Sequence, residues 1–270
     1  MNKLISFIRR VLKKILFSKI FEFLKIRPLI TNMIKLVLYF YYFGFKGIKM
    51  FIVKFNSKKG IYKFKHKKFK FPIYLRKKTS DFEVFEQTFL FQDFSYKYSS
   101  KPKVILDLGA NIGTVSVYFK NKFPNSKIIS IEPDSSNYSV LDKNLKNYSN
   151  CFSLKTGIWS EKCKLEILNP AGSKYGFQLQ KSDNGTIEAT SIPELMKEFN
   201  IEQIDILKID IEGSELNLLE KNYQWLSKVK MIFIEPHIIN GVDTKKIILQ
   251  RAKEFKFKIQ EVGELVILYK

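Results

Sequence analysis

Two short stretches carry the side chains best suited to chemistry. "KIDIEGSE", Lys208–Glu215, places Asp210 and Glu212 at the end of an apolar run, and "FIEPH", Phe233–His237, places Glu235 and His237 at the end of another. Buried charge is costly unless paired, so acids at the ends of apolar strands mark a site that faces ligand or solvent. If the two strands lie side by side, Asp210, Glu212, Glu235 and His237 converge. Such a set could hold Mg2+ or Mn2+ through oxygen ligands, or leave one carboxylate or His237 as a general base. The competing structural reading has Glu212 capping the next helix and Glu235 paired with Lys208.

A third stretch, "KVILDLGANIGT" at Lys103–Thr114, ends a strand in Asp107 and then turns through Gly109 and Gly113. Gly109 would let backbone approach a ligand, and Gly113 would let the following helix pack against the strand. The spacing is G-x-x-x-G, without the G-x-G-x-x-G that suits a pyrophosphate. Asp107 would repel a diphosphate and suits a cationic or hydroxyl-bearing ligand. Glu132, closing "IISIE", can accept the ribose hydroxyls of an adenosine. The three features together favour S-adenosylmethionine over NAD as the bound molecule.

The elements that must position these residues alternate. Strands are expected at 104–108, 127–131, 152–156, 204–211 and 231–234, with helices at 115–122, 136–147, 192–199 and 215–220. A hairpin-like pair, 255–262 and 265–269, closes the pattern. Alternation of this kind implies βαβ units in a doubly wound, mostly parallel sheet, whose ligands bind beyond the carboxyl ends of the strands. The two cysteines, Cys151 and Cys163, have neither CxxC spacing nor the density of a disulfide framework. They read as structural thiols.

Charge divides the chain. Residues 1–80 hold 22 Lys or Arg and one acid, Glu22, whereas residues 81–270 hold 25 of each sign. A neutral domain behind a basic leader is not a nucleic-acid binder on isoelectric point alone. Leu4, Ile8, Leu12, Ile15, Phe23 and Ile26 recur near helical spacing among basic residues, and Arg27-Pro28 should end that helix. The following apolar segment, Leu36–Phe45, falls short of the roughly 18–20 residues a membrane span needs. The leader, residues 1–57, either caps its own protein or lies on an anionic membrane surface. Ahead of 79–81, which offers helix-capping residues, alternating apolar and basic positions from 58 onward read as a hairpin or edge strands.

"ILDLGANIGTVSVYF", "IEPDSSNYSVLDKNL", "IDILKIDIEGSELNLLE" and "FIEPH", with "RKKTSDFEVFEQTF" upstream, resemble the FkbM-type methyltransferases over about residues 70–240. The resemblance implies an α/β, Rossmann-like class I methyltransferase fold over 58–270, with a C-terminal hairpin behind the basic helical leader. It implies S-adenosylmethionine as donor and a hydroxyl acceptor on a sugar, glycolipid or surface polysaccharide. Matched position by position, Asp107, Gly109, Asn111 and Gly113 form the donor turn and Glu132 the ribose acid. Trp159, after the third strand, is placed where it could stack on adenine. The expected location is cytoplasmic, peripheral on the inner face of the membrane. A catalytically inactive, membrane-attached binding module is the alternative. A nucleic-acid methyltransferase ranks third, because the fourth strand ends in Asp-Ile-Glu-Gly and lacks an Asn/Asp-Pro-Pro-aromatic turn.

Overall fold

The computed structural model describes residues 27–56, 58–98, 100–167, 179–212, 214–239 and 241–270. The amphipathic helix expected over 4–26 lies outside them. The chain divides into two compact units, Met1–Asp93 and Phe94–Lys270.

In the first unit, α1 (Arg27–Lys54) is followed by the antiparallel hairpin β1 (Ile61–Phe64) and β2 (Ile73–Arg76), and by α2 (Asp81–Phe89). Pro28, expected to end a helix, stands in the first turn of one, where its missing N–H leaves no bond unmade. Gly44, at φ 58°, breaks α1 into two helical segments. The apolar stretch judged too short for a membrane span therefore belongs to a longer helix. By length and composition alone Pro28–Lys54 could cross a bilayer, a test that the core helix of a soluble protein also passes. One face of α1 is core: Tyr39 stacks on Phe85, and Phe43 meets Phe64, Phe69 and Phe85. Buried Glu86 accepts the Tyr39 hydroxyl at 3.1 Å and lies between Lys35 at 2.6 Å and Lys54 at 2.9 Å. Residues 58–93 thus pack with the helix before them, and the break between units falls after α2 rather than near residue 57.

The second unit is built on seven strands, β3 (Val104–Leu108), β4 (Lys127–Ile131), β5 (Cys151–Leu154), β10 (Ile204–Ile209), β11 (Val229–Ile234), β14 (Lys258–Val262) and β15 (Leu265–Tyr269), with β12 (Ile238–Ile239) and β13 (Val242–Asp243) paired apart from them. The spatial order of the seven is β14-β15-β11-β10-β3-β4-β5. β5, β4, β3, β10 and β11 run parallel, and β15 enters antiparallel between β11 and β14. Parallel strands covered on both faces should read as near-continuous apolar runs, as "VILDL", "KIISI" and "VKMIFI" do. Helices α3 (Thr114–Lys122), α4 (Ser135–Leu145), α5 (Ile192–Glu198), α6 (Glu215–Glu220) and α7 (Lys245–Glu254) complete the layers. This is the Rossmann-like class I arrangement with its closing hairpin. A second, four-stranded sheet, β6 (Gly157–Ile158), β9 (Ile187–Thr190), β7 (Cys163–Ile167) and β8 (Leu179–Lys181), was not anticipated. The chain order reverses between β3 and β10, so their carboxyl ends flank the crevice where such sheets bind ligands.

Candidate active site at the switch point

The turn after β3 is shaped by contact with β10. Gly109 has φ +72°, and a Cβ there would sit 1.7 Å from the Asp210 carbonyl oxygen, so no side chain fits. The close approach expected toward a ligand is thus made to the neighbouring strand. A Cβ on Gly113, φ +81°, would sit 2.6 Å from Leu141 of α4, so its missing side chain lets α3 and α4 approach. Asn111, in the left-handed region at φ 49°, donates its N–H to Glu132 Oε2 at 2.8 Å.

Asp107 lies inside the protein, fully buried, and does not front the crevice. Its Oδ2 accepts from Ser116 at 2.6 Å, and Ser116 meets Ser130 at 2.7 Å. Lys208, opposite Asp107 in the strand register, brings Nζ to 3.5 Å from its Oδ1, 3.3 Å from Asp210 Oδ2 and 2.6 Å from the Gly109 carbonyl. Burial works against the Lys208 ammonium, but Asp210 and Asp107 outweigh it and raise its pKa. The pairing of Glu235 with Lys208 that the sequence left open is made instead by Asp107 and Asp210.

Glu132 is buried, and burial pushes its pKa up against the N–H groups of Asp134 and Asn111 and the Asn137 amide. Those three donors take most of the four or so lone-pair positions of a carboxylate. Trp159 is packed in the small core with Leu165 and Ala189. The residue is 8% exposed.

Asp210, Glu212, Glu235 and His237 do meet at the ends of β10 and β11. His237 Nε2 lies 3.6 Å from Glu212 Oε2 and 3.9 Å from Glu235 Oε1. Donor atoms of Asp210, Glu212 and His237 fall within 4.8 Å of one another, close enough to share a cation. The residue that sequence reasoning missed is Glu215. It is fully buried at the start of α6, and its Oε1 accepts the Ile211 N–H at 3.0 Å and lies 3.1 Å from His237 Nδ1. Burial raises Glu212 to about 7 and Glu235 to about 8, each reinforced by Asp210. His237 is pulled down by burial, yet its bond to Glu215 and the surrounding carboxylates push it up to about 9.

Comparison with known proteins places the chain in a family. A family described as "Methyltransferase FkbM domain" matches residues 107–257, from Asp107 beyond the acidic cluster. Methyltransferase sdnD of Sordaria araneosa is 28% identical, covering 48% of this chain and 65% of its own. The hexuronic acid methyltransferase AglP of Haloferax volcanii is 25% identical, covering 56% of this chain and 62% of its own. The chain therefore spans less than two-thirds of the length of these curated relatives. A solved methyltransferase FkbM from Methylobacillus flagellatus aligns with a TM-score of 0.48 at 18% identity, over 68% of this chain and 47% of that one. With more than half of its residues inside the family match, the chain belongs to the FkbM methyltransferase domain family.

Proposed function

We propose that the protein transfers a methyl group from S-adenosylmethionine to a hydroxyl of a sugar, glycolipid or surface polysaccharide. The observation that carries this reading is the acid-rich cluster around His237, beside the donor turn at the switch point. Family membership supports the donor, and a relative that acts on a hexuronic acid supports a sugar acceptor.

The residues suit the donor. Asn111 Oδ1 is buried and takes no hydrogen bond from the described residues, so an acceptor is ready for an ammonium or hydroxyl group. Glu132 keeps about one lone-pair position for a ribose hydroxyl. When bound, S-adenosylmethionine supplies a methyl group on a sulfonium, an electrophile that needs no activation by the protein. The chain's own work falls on the acceptor. The C–S bond breaks as the new O–C bond forms, and the hydroxyl proton must leave. Glu235 and Glu212, raised toward neutral pH, have the basicity a proton acceptor needs there. His237 is cationic at neutral pH in this arrangement, so it orients the acceptor oxygen instead of deprotonating it. Asp210, Glu212 and His237 would be the holders of Mg2+ or Mn2+, which polarises a bound hydroxyl. His237 would then have to shed its proton.

An envelope acceptor fits a cytoplasmic enzyme working at the inner face of the membrane. The test is a labelled donor. Purified protein, S-adenosylmethionine with a deuterated methyl group, and envelope glycans from a deletion strain should yield a deuterated methyl ether by mass spectrometry. Tight NAD binding by calorimetry, with no heat from the sulfonium ligand, would refute the reading.

A further inference from the structure

The first segment of α1 is apolar on two sides. Thr31, Leu38 and Tyr42 are buried, while Leu29, Met33, Leu36, Val37 and Phe40 on the opposite side are exposed. Leu29, Met33, Leu36 and Phe40 stand at i, i+4, i+7 and i+11, which is one stripe along a helix. The stripe carries no charged or polar residue. It does not stop at the Gly44 break, because Phe45, 83% exposed, meets the Phe40 ring edge-on at 5.7 Å. Contiguous exposed apolar surface on one helix marks an interaction site.

Charge selects the partner. Between residues 27 and 80 there are fifteen Lys or Arg and no acid, and Lys46 and Lys49, both exposed, follow Phe45 on the same helix. Residues 1–26 carry seven Lys or Arg against Glu22, so they would be repelled from this surface, as would a second copy of the chain. We propose that the outward stripe of α1 docks in the interface of an anionic lipid bilayer. Its apolar side chains would enter the headgroup–acyl boundary, with the surrounding lysines at the phosphates. Lys35 and Lys54, on the other side of α1, hold Glu86 of their own unit, so the helix lies along the surface and does not cross it. This inference names the surface behind the membrane location in the functional reading, and it is tested without donor or acceptor, so either can fail alone.

The experiment is sedimentation of the full-length protein with vesicles of phosphatidylcholine, alone or with phosphatidylglycerol. Binding is expected only to the anionic vesicles, weakening in high salt. The double variant Met33→Glu, Phe40→Glu should lose about tenfold or more of that affinity with an unchanged melting temperature, since both side chains are exposed. Phe40→Trp should bind like the parent and shift its emission to the blue on anionic vesicles. Undiminished binding of the double variant, or no blue shift, would place any membrane contact elsewhere. Absence of vesicle binding, with a dimer that the double variant dissociates, would make the stripe a self-association face and overturn the proposal.

Discussion

The ammonium of Lys208 lies 2.6 Å from the carbonyl oxygen of Gly109, so a buried cation on β10 holds the turn that follows β3. The same nitrogen serves Asp107 on one side and Asp210 on the other. One side chain therefore joins the turn after β3 to the acidic cluster at the ends of β10 and β11. Lys208→Met keeps the apolar stem but leaves the fully buried Asp107 side chain without its cationic partner. Urea unfolding should show a loss of about 3–5 kcal/mol, the usual cost of breaking a buried pair from one side. A loss of only a few tenths would mean that the Lys208 contacts contribute little to the fold.

Donor affinity should depend on Glu132. Its carboxylate accepts the Asn111 and Asp134 N–H groups, and in the proposed function it also accepts a ribose hydroxyl. Glu132→Ala should weaken S-adenosylmethionine binding by about 1.5–3 kcal/mol in calorimetry, the scale of hydrogen bonds to a charged group. Unchanged affinity would remove Glu132 from the donor site.

The chain has two histidines, which makes a proton titration by NMR tractable. His66 is lowered by burial and by the lysines around it, while His237 is raised to about 9, so the two curves separate. A raised histidine stabilises the fold fully below its ordinary value of about 6.5, and that contribution is lost as pH rises through about 9. In chelator-treated protein, Glu215→Gln should bring His237 down toward its ordinary value. It should also cost about 1.5–3 kcal/mol at pH 6 and much less at pH 10. An equal cost at both pH values would mean that Glu215 acts through packing alone.

Asp210 touches both the Lys208 ammonium and the candidate cation position. Asp210→Asn should lower turnover by about 10²-fold or more with donor affinity nearly intact. EDTA separates the two mechanisms: activity lost and restored by Mn2+ assigns the cluster to a metal, and unchanged activity assigns the proton to a carboxylate. Near-normal turnover of the variant on the true acceptor would make the cluster structural.

Much of the sheet was legible because parallel strands buried on both faces write themselves as apolar runs. β3, β4 and β15 lie at the expected residues, and α6 does too. The convergence of Asp210, Glu212, Glu235 and His237 followed from strand adjacency alone. Glu215 did not, since an acid in the first turn of a helix is ordinary. Only the fold reveals that it is buried against His237 Nδ1. By sequence Lys208 is a candidate partner of Glu235, whereas its partners are Asp107 and Gly109 at the end of β3 and Asp210 two residues along its own chain. The small sheet escaped notice because its strands run two to five residues. Helix α7, "KKIILQRAKE", hid behind its charges, although Arg251 is buried and donates to the Leu219 carbonyl. Pro28 suits the start of a helix as well as the end of the one before it, and only the start lies within the described residues.

The insertion of β15 beside β11 has a consequence during synthesis. Met231 through Ile234 pair with Tyr269 through Val266, so β11 gains its second neighbour only after the ribosome has made Leu265–Tyr269. Until then the growing chain presents an open edge of Met231, Ile232, Phe233 and Ile234, with nothing to pair their N–H and C=O groups on that side. Such an edge invites pairing with other nascent chains. A message broken before codon 265 would thus yield aggregates and chaperone clients instead of a weakened enzyme, although every residue of the acidic cluster had already been translated.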